Sequence, residues 1–165
     1  MWVVAGAAAI AAAPTAITGP VSAVGPSSAT VSGTVNPGGQ ATTWYVEYGT
    51  STSYGSQSAS ASVGSGSANV AVSRALSGLA SGATYHYRVV ATNGAGTSRG
   101  ADGIFATSAA PAAATGSATD VTTSSATLNG TVDPNGRATA WYFEYGTSTS
   151  YGSKTTEHSA TKSQS

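Results

Sequence analysis

Apolar and polar residues alternate in short runs along this chain, and clusters of Gly, Pro, Asn and Ser separate the runs. Period two places successive side chains on opposite faces of a strand. In ATVSGTV, Ala29 to Val35, it sets Val31, Gly33 and Val35 on one face. In TTWYVEYG, Thr42 to Gly49, it sets Trp44, Val46 and Tyr48 inward and Tyr45 and Glu47 outward. In TYHYRVVAT, Thr84 to Thr92, it sets Tyr85, Tyr87, Val89 and Ala91 on one face and His86 on the other. The pattern also predicts strands at Val21 to Val24, Asn69 to Leu76 and Ser98 to Thr107, with Phe105 inward, and a short edge strand within Ser53 to Ser60. Arg74 shares the inward parity of Val70, Val72 and Leu76, so it either snorkels past the sheet edge or is turned out by a bulge. Ser62 to Ser67, SVGSGS, reads as a flexible loop. No segment outside the Ala-rich start has helical periodicity with caps. The expected fold class is all-β, an antiparallel sandwich.

The alternation is written twice. TTWYVEYGTSTSYGS from Thr42 returns as TAWYFEYGTSTSYGS from Thr139. The shift is constant: 141 − 44 = 97 for the tryptophans, and Ala29 to Ser56 agrees with its second copy at 21 of 28 positions. A period near a hundred is the size of a small domain rather than of a solenoid repeat. The second copy contains 165 − 117 + 1 = 49 residues, about half a module. The expected organisation is therefore a signal-peptide-like or linker segment at 1–16, a complete module at 17–108, a linker at 109–116 and a partial second module at 117–165.

Composition narrows the function classes. Charged residues make up 7% of the chain, and six basic and six acidic residues cancel. No basic residue precedes Arg74. Nucleic acid, which needs a concentrated basic face, is excluded. Without cysteine there is neither a disulfide framework nor a thiolate metal site. Trp2 to Ala13 is an apolar run too short to span a bilayer. It resembles the apolar stretch of a secretory signal, although the basic flank is missing. It also aligns, at the same shift, with the segment before the second copy, which makes it a linker from an earlier module. Both readings place the chain outside the cytoplasm.

LSGLASGATYHYRVVATNGAG, Leu76 to Gly96, closely resembles the stretch of fibronectin type III domains written L-x-x-L-x-x-G-x-x-Y-x-x-x-V-x-A-x-N-x-x-G. The resemblance extends over about Ile17 to Ser108, and in part from Ser117 onward. It looks most like the Gly/Ser/Thr-rich tandem modules of secreted bacterial proteins. It implies that Leu79 packs under the loop between the fifth and sixth strands. It implies that Tyr85 is the tyrosine-corner residue, with its hydroxyl bonded to upstream backbone. Asn93 and Gly96 fall at the turn before the last strand. Many family members carry a Trp in the second strand. Here Trp44, one strand later, is expected to supply that volume, with Gly33 making room beneath it. The expected core is Trp44, Val46, Leu79, Tyr85 and Val89.

Candidate chemistry is sparse. Gly96-Thr97-Ser98-Arg99-Gly100 fits G-x-S-x-G, but a nucleophile elbow needs a strand-to-helix turn, and this segment lies on a hairpin. Glu47 and Glu144 occupy equivalent positions a module apart, too far for a glycosidase pair, and read as solvated carboxylates. His86 and His158 lack nearby acidic ligands, so no metal or cofactor is expected. Asn129-Gly130-Thr131 is a sequon on a strand. Arg99-Gly100-Ala101-Asp102 is one residue longer than the adhesion tripeptide of some fibronectin modules. Tyr45 and Tyr142 on the outer face, with Tyr54 and Tyr151 near the edge, are the possible ligand contacts, because exposed tyrosine stacks on sugars and anchors protein contacts. These readings imply a non-enzymatic extracellular module, a spacer or adhesion unit whose partner is a protein or a cell-wall polysaccharide surface. The alternative is a carbohydrate-binding accessory module of a secreted polysaccharide-active enzyme.

Overall fold

A computed structural model describes residues 12–160. The tail proposed as a signal or linker lies largely outside the described residues, at 1–11. The chain forms two compact units, Met1–Ser108 and Ala109–Ser165. The described residues contain strands and no helix, and every strand pair is antiparallel. No helix among them is long and apolar enough to cross a membrane.

Unit 1 is built from two sheets. The first has the order β1 (Thr15–Ser22), β2 (Ser28–Asn36), β6 (Val70–Ser77). The second centres on β3 (Thr42–Gly49) and β7 (Thr84–Asn93). The short strands β4 (Ser56–Gln57) and β5 (Ala61–Gly64) pair with β3, and β8 (Gly96–Arg99) and β9 (Gly103–Ala106) pair with β7. The alternation explains the layering, because the inward residues of both sheets form one cluster. Val31, Val35, Val72 and Leu76 come from the first sheet, and Trp44, Val46, Tyr85, Tyr87, Val89, Ala91 and Phe105 from the second. Leu79 joins the same cluster. Tyr85 stacks on Phe105 at 5.5 Å and its hydroxyl accepts a hydrogen bond from the Ala80 amide at 2.9 Å.

Several local expectations need correction. The first strand starts at Thr15 rather than Val21, inside the stretch assigned to a tail. Small residues hide its alternation, and a register shift between Thr18 and Val21 breaks it. The Thr18 hydroxyl accepts from the Val89 amide, and Tyr87 donates to the Gly19 carbonyl, so β1 is bonded to both sheets. The loop expected from Ser62 contains β5, which lies along the edge of β3 with its own bulge. The closing segment is split into β8 and β9. Val70 is exposed despite its inward parity, because it opens the strand. Arg74 keeps its parity without a bulge: it sits opposite Val31, and its guanidinium lies 5.2 Å over the Trp44 ring.

Gly33 makes room for a different group than expected. A Cβ there would come within 2.7 Å of a Val89 methyl carbon and 2.6 Å of the Ile17 carbonyl oxygen. The glycine therefore admits Val89 from the facing sheet and β1 alongside it; Trp44 is not the neighbour it accommodates.

In unit 2 the assumed linker forms β10 (Ala112–Thr115), paired with β11 (Gly130–Asp133). The strand equivalent to β3 is broken into β12 (Thr139–Trp141) and β13 (Glu144–Tyr145). β12 pairs with β15 (His158–Ala160), and β13 with β14 (Ser153–Lys154). Most registers reproduce unit 1 at the 97-residue shift: Trp44 faces Ala61 and Trp141 faces His158, while Glu47 faces Gln57 and Glu144 faces Lys154.

Candidate functional site

The outward face of β3 and β7 holds the densest polar cluster of unit 1. Register places Glu47 directly opposite Arg88, both on the outward parity. Arg88 donates from Nε to Glu47 Oε2 at 2.7 Å. The same guanidinium lies 4.3 Å over the ring of Tyr54, a cation–π contact. Tyr54 donates its hydroxyl to Asp102 Oδ1 at 2.9 Å, and His86 Nδ1 lies 2.8 Å from Asp102 Oδ2. A chain of five side chains thus runs Glu47, Arg88, Tyr54, Asp102, His86, drawn from two strands and two loops.

The turn sequence aims Tyr54. Its amide bonds to the Ser51 carbonyl at 3.0 Å, and its backbone takes φ 58°, a left-handed value uncommon outside glycine. The His86 hydrogen bond, then that from Tyr54, holds the Asp102 carboxyl below its ordinary range. Desolvation first, then the bond to Asp102, pushes the Tyr54 hydroxyl up. Beside the cluster lies an open groove of ≈ 450 Å³ walled by Glu47, Tyr54, Gln57 and Arg88.

The candidate residues separate accordingly. Tyr45 is half-buried on the outer face. Tyr54 has one ring face under Arg88 and its hydroxyl committed, so it is not a free stacking platform. Tyr142 is 42% exposed, with Lys154 Nζ 4.9 Å over its ring, and Tyr151 is 51% exposed. Glu144 is exposed on β13, as a solvated carboxylate should be, whereas Glu47 is paired and half-buried. His86 also departs from its expected isolation, because Asp102 meets it. Arg88 went unnoticed in the sequence, and Asp102 was read only as the end of the adhesion-like run. Opposite charges at the outward parity of β3 and β7 were a signal for Arg88, readable only once their register is known.

The remaining motifs carry no chemistry. Ser98 sits on β8, and its Oγ accepts from the Ala16 amide at 3.2 Å. Asn129 spends its side-chain amide on Ser117 and Thr119. The Asp102 carboxylate of the adhesion-like run is held by Tyr54 and His86. Among the described residues no group of three His, Asp or Glu side chains is placed to hold a metal.

No protein-family model matches this chain, and no curated protein matches it. Among solved structures it is similar to the sensor domain of the anti-sigma factor RsgI4 of Pseudobacteroides cellulosolvens. A short form is 21% identical, with 58% of this chain and 95% of that chain covered and a TM-score of 0.46. A long form is 20% identical, with 58% and 90% covered and a TM-score of 0.46. The solution structure of that domain is 19% identical, with 57% and 74% covered and a TM-score of 0.44. Similarity at this level says nothing of what this chain binds.

Proposed function

We propose that this chain is a non-enzymatic extracellular β-sandwich array of the fibronectin type III kind, acting as a spacer or protein-interaction unit of a larger secreted or surface protein. One observation carries the reading: five polar side chains on the outward face of unit 1 are spent on one another. Glu47, Arg88, Tyr54, Asp102 and His86 bind in series, and Ser98 accepts from backbone. Such a network stiffens a face rather than presenting a nucleophile or a free base. The Tyr85 hydroxyl bond to Ala80 and the burial of Leu79 support the family reading. Fold alone does not supply a function, so the spacer role rests on this spent chemistry and on the repeat. The test is a hydrolase panel on the purified chain and its Ser98→Ala variant. No turnover is expected from either; activity abolished by the substitution overturns the reading.

The exposure of Tyr142 and Tyr151 favours a second reading, a carbohydrate-binding accessory module. Retention on chitin, cellulose or peptidoglycan that is lost in the Tyr142→Ala, Tyr151→Ala double variant would establish it. Equal retention of both proteins removes it.

A further inference from the structure

Asparagine is followed by glycine at Asn93-Gly94, Asn129-Gly130 and Asn135-Gly136. Such a pair carries latent chemistry. The glycine amide nitrogen can reach the asparagine side-chain carbonyl carbon, because glycine has no Cβ to hinder the approach. Whether it does so depends on how firmly side chain and backbone are held.

The fold holds two of the pairs. Asn93 ends β7 opposite Gly96. It donates from Nδ2 to the carbonyls of Ala12 and Pro37, both at 2.9 Å, and its Oδ1 accepts from the Ala95 amide. Asn129 is half-buried and donates from Nδ2 to the Ser117 carbonyl at 2.9 Å and to Thr119 Oγ1 at 3.2 Å. Its own carbonyl accepts from the Gly116 amide, and Gly130 opens β11 opposite Thr115.

The third pair is presented to solvent. Asn135 and Gly136 are exposed at the centre of the turn from β11 to β12. Their φ values, 46° and 75°, and the bond from the Arg137 amide to the Pro134 carbonyl at 3.0 Å match a type I′ turn. That closing bond leaves the Gly136 amide out, and a Cβ at Gly136 would meet nothing within 4 Å. The Asn135 side chain donates from Nδ2 to the Ala110 carbonyl. In the first copy the same turn is Gly38-Gly39, and Gly39 is likewise exposed and open within the closed sandwich of unit 1. Presentation is therefore a property of the turn.

We propose that Asn135 is a site of spontaneous deamidation. The Gly136 amide nitrogen gives its proton to solvent and bonds to Asn135 Cγ. The Cγ–Nδ2 bond breaks, Nδ2 takes a proton from solvent, and ammonia leaves, closing a succinimide. Water then opens the ring at either carbonyl. One opening gives aspartate; the other gives isoaspartate, with the main chain rerouted through the side chain. Nothing is oxidised or reduced, and water is the co-reactant. The product places a carboxylate two residues from Asp133, whose Oδ1 already accepts from the Asn135 amide at 2.8 Å. It does so in a chain whose charges otherwise cancel. Isoaspartate also lengthens the main chain of the turn, so the modification bears on how β11 leads into β12. The first copy, with glycine at both turn positions, is immune. The proposal stands apart from the spacer reading.

Incubation of the full chain in mildly alkaline buffer made with heavy-oxygen water, followed by peptide mapping with fragmentation, tests it. Native protein should gain label at Asn135 at least about tenfold faster than at Asn93, with Asn129 between them, as local opening of a bonded strand requires. In urea, where that protection is gone, the three rates should converge to within about threefold. Asn135→Gly, which gives this turn the residues of the first copy, should remove the label and the isoaspartate signal there. Equal native rates at Asn135 and Asn93, no label at Asn135 in native protein, or a ratio that persists in urea overturns the proposal.

Discussion

The same sentence of sequence leads to two environments in this molecule. Trp44 is 5% exposed and Val46 fully buried, while their counterparts Trp141 and Phe143 are only half-buried. Local geometry is nonetheless reproduced. Tyr54 and Tyr151 take φ 58° and 55°, and each bonds its amide to the serine three residues before. The Val46 amide bonds to Ser58 Oγ, and the Phe143 amide to Thr155 Oγ1, 97 residues on in each case. Turns and hairpin registers are therefore properties of the nearby residues. Burial is not: it comes from β6, β7 and β9, which follow in unit 1 and have no counterpart among the described strands of unit 2.

The largest effect expected from this contrast is on whole-unit stability. A two-stranded ribbon is marginal in water, and the described strands of unit 2 pair only in two-stranded sheets. Limited proteolysis should leave a fragment ending near 109–116 while the remainder is digested. A segment from Ser117 that resists protease in monomeric protein breaks the comparison.

Next comes the tryptophan pair. Trp44→Ala should cost about 3–5 kcal/mol as a large-to-small core change. A domain holds only about 5–15 kcal/mol, so most of the margin of unit 1 goes. Trp141→Ala should leave the urea midpoint of unit 1 unchanged. Equal losses from the two substitutions would show that burial in the two copies is alike.

A smaller effect separates what the family resemblance adds from what packing alone gives. Tyr85→Phe keeps the ring on Phe105 and deletes the bond to the Ala80 amide. The expected loss is about 0.5–1.5 kcal/mol, the net worth of one hydrogen bond. Thermal unfolding of the full chain, followed at unit 1, measures it. No change would make the hydroxyl dispensable to the corner.

Legibility in the sequence followed the same divide. Alternation in Thr42 to Gly49 and Thr84 to Thr92 exposed the all-β class and the inward parity, because valine and aromatics mark it. β1 was legible only at its Val21 end and β10 not at all, since Ala, Gly and Thr give a sheet face too little contrast with its reverse. β5 read as a loop for its Gly and Ser content, although its place is set by pairing with β3. The candidate site was half legible: Tyr54 and Glu47 stood out through repetition. Arg88 and Asp102 occur once, and only three-dimensional register brings them to the tyrosine.

The smallest predicted effect distinguishes the two tyrosine turns by pH. The Asp102 carboxyl titrates below its ordinary value in the fold, chiefly through His86 and then Tyr54. A depressed folded value means that its contribution is present above the unfolded pKa and lost as pH falls through the folded one. Acidification below about pH 4 should therefore loosen the link from Tyr54 to Asp102. Tyr151 has the same backbone, and among the described residues its hydroxyl has no carboxylate partner. NMR signals of the Tyr54 ring should move through that range while those of Tyr151 stay still, and Asp102→Asn should abolish the Tyr54 shift. If both rings respond alike, or if the variant keeps the response, the aspartate does not hold the turn, and the five-residue chain ends at Tyr54.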